Sequence, residues 1–158
     1  MSNADSQDAP GGSGPATAAT SGLATRLAHE LAGAAEVKVE NLQWGLSVTI
    51  TPTNPHARAF GWADFEDEIV LQVGEYGGRW KLRPVPEDLA FLDDVARSVV
   101  AGRVREVLAR KRSLIEVVMP DGSVETEAGY EGLAGCLPLP AWRRRSRSVQ
   151  YAPYSSSP

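Results

Sequence analysis

The chain has 158 residues, of which 42% are hydrophobic and 23% charged, and its formal net charge at pH 7 is −4. This composition is typical of one globular domain, and a chain of this length buries about 70% of its unfolded surface on folding. A single cysteine excludes an internal disulfide, and with only two histidines beside it a closed zinc site of four such ligands is not expected. No apolar run approaches the roughly 18 residues of a membrane helix and no secretory signal precedes Arg26, so we expect a cytoplasmic protein.

Both ends of the chain are poor in large apolar residues. Residues 1–20 contain only Met1 of that kind, and residues 142–158 begin with a basic run and continue as a Ser-, Tyr- and Pro-rich stretch. Such segments do not bury enough apolar surface to offset the entropy lost on ordering. We therefore expect tails at 1–20 and 142–158 around one folded domain at 21–141.

The domain is predicted to begin with a helix and to continue with strands. Leu23, Leu27 and Leu31 recur every four residues after Ser21, a suitable N-cap. Apolar and polar residues then alternate, which predicts half-buried strands at 37–40, 46–51, 57–65, 69–73 and 80–82. The glycine-rich segment 74–78 lacks the lysine of a phosphate-binding loop and is interpreted as a hairpin turn.

A long second helix is predicted from about Glu87 to about Lys111. Apolar residues between Leu89 and Leu108 follow helical spacing, and Gly102 within that run costs only about 1 kcal/mol relative to alanine. A hairpin follows, with Asp121-Gly122 at its turn between the strand-forming runs 114–119 and 124–126.

Strands clustered between helices predict an α+β fold in a single domain. We expect one mainly antiparallel, curved sheet of five or six strands, with the long helix packed on one face and the shorter N-terminal helix beside it. A sheet covered by so few helices leaves a face or groove open, and an open face is the natural place for a partner.

Four carboxylates lie within five positions, at Asp64, Glu66, Asp67 and Glu68, close to Trp62. Oxygen ligands of this kind can hold a divalent cation, but the spacing is not that of a calcium loop, and neighbours on a strand point to opposite faces. The plain interpretation is a solvated loop or strand edge. The functional interpretation is an acidic patch that contacts a basic protein partner.

Three tryptophans, Trp44, Trp62 and Trp80, fall within the predicted sheet. Tryptophan is enriched both in small cores and at interface hot spots. If these rings share the helix-covered face they belong to the core, which burial statistics favour, and if they lie on the open face they form an interaction platform.

No motif in the chain specifies a reaction. An enzyme built on His56 with Asp64 or Glu66 requires those groups to converge in a pocket. His29 and Cys136 lack the neighbours that would activate a base or a thiol. We therefore expect no catalytic residue, no cofactor and no metal.

Charge is unevenly distributed along the chain. Residues 1–102 carry 14 acidic and 7 basic side chains, whereas residues 103–158 carry 6 and 9. The basic excess is concentrated at 142–147, where an aromatic ring beside four arginines can stack on a base while the arginines contact phosphates. A solubilising tail, or a clamp onto the acidic sheet of the same chain, explains the same pattern.

The leading hypothesis is a non-enzymatic cytoplasmic protein-binding module, such as an adaptor, an inhibitor or a toxin-neutralising immunity-like protein. Its binding surface would consist of Trp62, Asp64, Glu66, Asp67 and Glu68, facing a partner with a basic surface. The alternative is a nucleic-acid-associated protein that binds phosphates through Trp142, Arg143, Arg144, Arg145 and Arg147.

Overall fold

A computed structural model of the chain describes residues 15–65, 67–132, 142 and 146–155. Within them the fold is α+β, with two helices and two antiparallel sheets of five and four strands. The elements are α1 (Pro15–Glu30), β1 (Ala35–Leu42), β2 (Gly45–Pro52), β3 (Phe60–Asp64), β4 (Ile69–Gln72), β5 (Arg79–Leu82), α2 (Pro86–Val100), β6 (Val104–Ala109), β7 (Arg112–Val118), β8 (Val124–Tyr130) and β9 (Arg147–Gln150). The predicted α+β class and antiparallel pairing are confirmed, whereas the expectation of a single sheet is wrong.

The first sheet is a meander in which β1 to β5 pair in sequence order. Its inner face carries the apolar half of each alternating segment, so that Leu46, Val48 and Ile50 of β2 are all buried. Both helices contribute to the same core, α1 through residues such as Leu27 and α2 through residues such as Leu92. The inner face of this sheet therefore packs against the helices, and the outer face does not.

Helix α1 begins at Pro15 and not near Ser21, so residues 15–20 belong to a helix although the sequence predicted a tail there. Thr20 is fully buried, and its hydroxyl donates a hydrogen bond of 2.7 Å to Oδ2 of Asp64 at the end of β3. This long-range contact attaches the first half of α1 to the sheet, and local sequence patterns do not reveal it.

Helix α2 is 15 residues long, and the predicted continuation to Lys111 is wrong. Gly102 has a φ of +72°, in the left-handed region that glycine adopts without strain. Its N–H donates to the carbonyl of Val99, and the N–H of Arg103 donates to the carbonyl of Ser98. This pair of bonds is the Schellman arrangement that ends helices, and the chain continues as strand β6.

The second sheet has the strand order β8-β7-β6-β9. The hairpin predicted around Asp121-Gly122 is confirmed as β7 and β8. Strand β9 comes from the segment for which the sequence predicted a tail, and it pairs antiparallel with β6. Beyond it, Tyr154 is buried and its hydroxyl donates a hydrogen bond of 2.6 Å to the carbonyl of Arg58 in the β2–β3 loop.

The turn at 74–78, between β4 and β5, is seated against the second sheet. Glu106 of β6 is fully buried, and its carboxylate accepts hydrogen bonds from the N–H of Glu75 at 2.7 Å and from the hydroxyl of Tyr151 at 2.6 Å. The hydroxyl of Ser113 in β7 accepts from the N–H groups of Tyr76 and Gly77. Buried polar groups thus satisfy one another across the boundary between the sheets, as such groups must.

Tyr151 is expected to titrate with a pKa of about 12, because burial and the hydrogen bond to Glu106 both disfavour the phenolate. An unfolded tyrosine has a pKa of about 10. The neutral phenol therefore contributes stability that is fully present below pH 10 and is lost as the pH rises through 12. Titration of tyrosinate absorbance in the native protein, with Tyr151→Phe subtracted, measures this pKa, and an ordinary value near 10 would contradict the contact with Glu106.

Candidate functional site

The outer face of the first sheet is an open trough. Antiparallel neighbours share a face, so the strand register places small and polar side chains next to one another across three strands. They are Ser47 and Thr49 of β2, Gly61 and Ala63 of β3, and Val70 and Gln72 of β4. The trough has a volume of about 380 Å³. The small number of helices predicted an open sheet face, and the outer face of the first sheet is open.

One rim of the trough is basic. Arg79 and Lys81 of β5 alternate with the inward-facing Trp80 and Leu82, so their exposed side chains stand on the outer face. Arg58 lines the same trough, and its Nε donates a hydrogen bond of 2.8 Å to the carbonyl of Val73. Two of these cations already contact carboxylates, Arg58 that of Glu75 and Lys81 that of Glu68, each at 3.4 Å. This basic rim therefore keeps a small excess of positive charge, which attracts a negatively charged partner.

The opposite rim, on β1, has mixed charge. Glu36, Lys38 and Glu40 stand on the outer face, and the Nζ of Lys38 lies 2.9 Å from Oε1 of Glu40. Because one cation stands between two carboxylates, this mixed rim has a small excess of negative charge, opposite in sign to that of the basic rim. The two sides of the trough therefore differ in electrostatic character.

Two residues of the predicted acidic and aromatic surface are buried. Trp62 is only 2% exposed and Asp64 is fully buried. The physical reason is the two-residue period of a strand, which puts both side chains on the inner face with Phe60. Neither residue offers side-chain surface to a partner.

Of the other three carboxylates of that predicted surface, the structure describes Asp67 and Glu68. Asp67 is exposed, and Glu68 is partly buried with Oε2 3.4 Å from the Nζ of Lys81. Glu66 lies outside the described residues. Among the described carboxylates of the group, Asp67 is therefore exposed, whereas Glu68 contacts a cation of its own sheet.

The three tryptophans have different environments. Trp62 is in the core, and Trp80 is half-buried, with its ring centroid 6.0 Å from that of Phe91 in α2. Trp44, at the turn between β1 and β2, is 58% exposed. The core interpretation is therefore confirmed for Trp62 and Trp80 and wrong for Trp44, and no platform of three exposed rings exists.

The arginine-rich segment is described only in part. The guanidinium carbon of Arg112 in β7 lies 5.6 Å from the ring centroid of Trp142, a cation–π distance. Arg147 is exposed in β9. Arg143, Arg144 and Arg145 lie outside the described residues. In the nucleic-acid hypothesis the ring of Trp142 stacks on a base, whereas in the structure this ring contacts Arg112.

The enzyme hypothesis requires His56 to converge with Asp64 or Glu66, and of these two carboxylates the structure describes only Asp64. His56 is exposed in the loop before β3, whereas Asp64 ends that strand, so the two are separated by the length of β3, about 13 Å. His29 is exposed near the end of α1, and Cys136 lies outside the described residues. In the described ranges, no group of three or more His, Cys, Asp or Glu side chains is placed to hold a metal ion.

The residues of the trough were not singled out by any sequence motif. In the sequence, Ser47, Thr49 and Gln72 are simply polar residues of alternating strands. Only the strand register shows that they lie close together on one face. One signal was present in the sequence, because Arg79 and Lys81 alternate with apolar residues and so predict a strand with one basic face.

Comparison of the chain with models of known protein families, with curated proteins and with solved structures found no match in any of the three. Within the part of the chain that the structure describes, neither helix is long and apolar enough to cross a membrane. Neither finding assigns an activity.

Proposed function

We propose that the protein is a non-enzymatic protein-binding module and that the outer-face trough receives a segment of its partner. The observation that carries this proposal is the open trough itself, whose floor of small side chains lies between a basic rim and a mixed rim. A small-residue floor allows the backbone of a partner segment to approach closely. Adaptors, inhibitors and immunity-like proteins act by binding a partner protein, and a trough that receives a segment of the partner is one way to do so.

The chemistry of the trough favours binding over catalysis. Its lining contains no carboxylate, histidine or cysteine side chain among the described residues. General acid–base and nucleophilic catalysis need titratable groups of those kinds within hydrogen-bond reach of a substrate. Hydroxyl, amide, aliphatic and guanidinium groups instead suit the recognition of a polypeptide surface.

The partner segment that fits best carries an apolar stripe and acidic side chains. Ala63 and Val70 on the floor offer apolar contact, and the exposed Arg79 on the rim offers charge. Charge complementarity of this kind raises the association rate and restricts the choice of partner. This partner differs from the basic one that the sequence predicted, because Trp62 and Asp64 of the predicted acidic and aromatic surface are buried.

Ala63→Arg is expected to weaken partner binding by about tenfold or more, because it places a long cationic side chain in the centre of the floor. The matched control is Thr126→Arg, which introduces the same side chain at an exposed position of β8 in the other sheet. The partner is isolated with the wild-type protein from the cells that produce it and identified by mass spectrometry. Its affinity for each purified variant is then measured by calorimetry.

Both variants are expected to retain the wild-type melting temperature within a few degrees, because substitutions at accessible strand positions change stability little. If folded Ala63→Arg binds the partner as tightly as the wild type, the trough is not the contact surface. If Thr126→Arg loses binding and Ala63→Arg does not, the partner-binding surface lies on the second sheet.

A further inference from the structure

Strand β1 is a free edge of the first sheet. It has eight residues and an unbroken register with β2 from Ala35 to Leu42, and among the described residues β2 is the one strand that pairs with it. Proteins usually protect such edges with prolines, bulges, very short strands or charged side chains, lysine above all. Strand β1 has charged side chains, among them Lys38, but it contains no proline and no bulge, and it is twice as long as β5 at the other edge.

The geometry of the β1–β2 hairpin shows which backbone groups face outward. Its loop has two residues, so Leu42 and Gly45 exchange hydrogen bonds, and every second pair along the ladder does the same. Pro52, which has no N–H to donate, stands opposite Ala35, where the pattern requires a pair without hydrogen bonds. The N–H and C=O groups of Val37, Val39 and Asn41 therefore point away from β2, toward the open edge.

The side chains of β1 are complementary to those of an antiparallel copy of the same strand. On the outer face the charges alternate in sign through Glu36, Lys38 and Glu40. On the inner face Val39 is 47% exposed, although its neighbour across the ladder, Val48, is buried. Another strand at this edge would cover Val39 and meet charges of both signs.

We propose that β1 pairs with β1 of a second copy, antiparallel, about a twofold axis through Val39. The two five-stranded sheets then become one continuous sheet. In this register Val39 faces its own copy and Val37 faces Asn41 of the second copy, so all three outward-facing residues exchange hydrogen bonds. Lys38 faces Glu40 of the second copy on both sides of the axis.

Other registers are less favourable. An axis through Lys38 places Lys38 opposite itself and Glu36 opposite Glu40, and like charges directly opposite one another are destabilising. An axis through Val37 places Ala35 opposite Val39 of the second copy, so the N–H of Ala35 would have to donate across the new pair. That N–H already donates to the carbonyl of Leu31 at 3.0 Å. If the register shifts by a single residue, the outward-facing N–H and C=O groups of one copy lie opposite residues whose N–H and C=O groups already bond to β2. Such residues cannot form ladder hydrogen bonds across the edge.

The test measures the association of the full-length chain by sedimentation equilibrium from micromolar to millimolar concentration. A single strand pair buries less than the roughly 1,200 Å² of standard interfaces, so we expect a weak, concentration-dependent dimer. Lys38→Glu and Glu40→Lys are each expected to raise the dimer Kd by about tenfold, because each creates two like-charge pairs across the axis. The double variant Lys38→Glu/Glu40→Lys restores opposite charges and is expected to recover the wild-type Kd within about threefold.

The matched control is Lys81→Glu, the same charge change on the edge strand β5, and it is expected to leave the dimer unchanged. Circular dichroism verifies that each variant is folded. A wild-type chain that remains monomeric throughout the range would overturn the proposal and leave the edge to a different polypeptide. A dimer that survives Lys38→Glu, or that the double variant fails to restore, would overturn it equally. The proposed function does not depend on these outcomes.

Discussion

Gly129→Ala is expected to lower the free energy of unfolding by about 2 to 3 kcal/mol or more. A Cβ at position 129 in β8 would clash with the carbonyl oxygen of Tyr76 and lie 2.8 Å from the Cα of Gly77. The turn cannot move aside cheaply, because the hydroxyl of Ser113 accepts hydrogen bonds from both Tyr76 and Gly77. The substitution therefore displaces the turn at 74–78 from the second sheet, and urea denaturation followed by circular dichroism measures the loss.

The control for this prediction is the same substitution at Gly22 in α1. A Cβ at Gly22 has no heavy atom within 4 Å, and the position is helical and exposed. Gly22→Ala is expected to raise stability by about 0.5 to 1 kcal/mol, because alanine loses less backbone entropy in a helix. If Gly129→Ala were as stable as the wild type, the turn would not be seated against β8.

Glu106→Ala is expected to destabilise the protein by about 3 to 4 kcal/mol. It removes the buried acceptor for the N–H of Glu75 and the hydroxyl of Tyr151, and it leaves a cavity between the two sheets. A buried donor without an acceptor costs about 1 to 3 kcal/mol. Glu106→Gln keeps an amide oxygen as acceptor and nearly the same shape, so it is expected to cost less.

A double-mutant cycle separates the two hydrogen bonds of Glu106. Tyr151→Phe removes one donor, so the effects of Glu106→Ala and Tyr151→Phe are expected to be non-additive by about 0.5 to 3 kcal/mol. Chemical denaturation of the four proteins supplies the values. Additive effects, or a cost for Glu106→Ala below about 1 kcal/mol, would contradict the bridging role of this carboxylate.

Local patterns were sufficient to predict the strands that are buried on one face only. The alternation at 46–51 and 69–73 corresponds to β2 and β4, and Asp121-Gly122 marks the turn between β7 and β8. In each case a short stretch of chain contains both the period and the turn residues, so no distant contact is needed to specify the element.

Local patterns failed where distant contacts decide the structure. The apolar residues of β6 follow helical spacing as an extension of α2, and the two elements are separated by only three residues, with the left-handed Gly102 at their centre. Strand β9 has no periodic signal of its own, because it is a short strand whose place depends on pairing with β6. The first half of α1 is attached to the sheet by the hydrogen bond between Thr20 and Asp64, which are far apart in the chain.

The sequence predicted that one face of a sheet would be open, but it did not predict which residues form that face. An open sheet face was expected from the small number of helices, and the outer-face trough is such a face. The predicted acidic and aromatic surface was wrong for Trp62 and Asp64. Side chains alternate between the two faces of a strand, and in β3 this alternation places both residues on the inner face, in the core. The floor and its basic rim became visible only when the register placed Ala63 beside Val70 and Lys81 beyond it.

The most direct test of binding at the outer-face trough is site-specific photo-crosslinking in the cells that produce the protein. A photoreactive amino acid replaces Ala63 in one variant and Thr126 in the other, and crosslinked peptides are identified by mass spectrometry. We predict that position 63 captures one partner protein, through a segment rich in apolar and acidic residues, and that position 126 does not. Capture of that partner at position 126 alone, or no adduct at position 63 in the folded protein, would contradict binding in the trough.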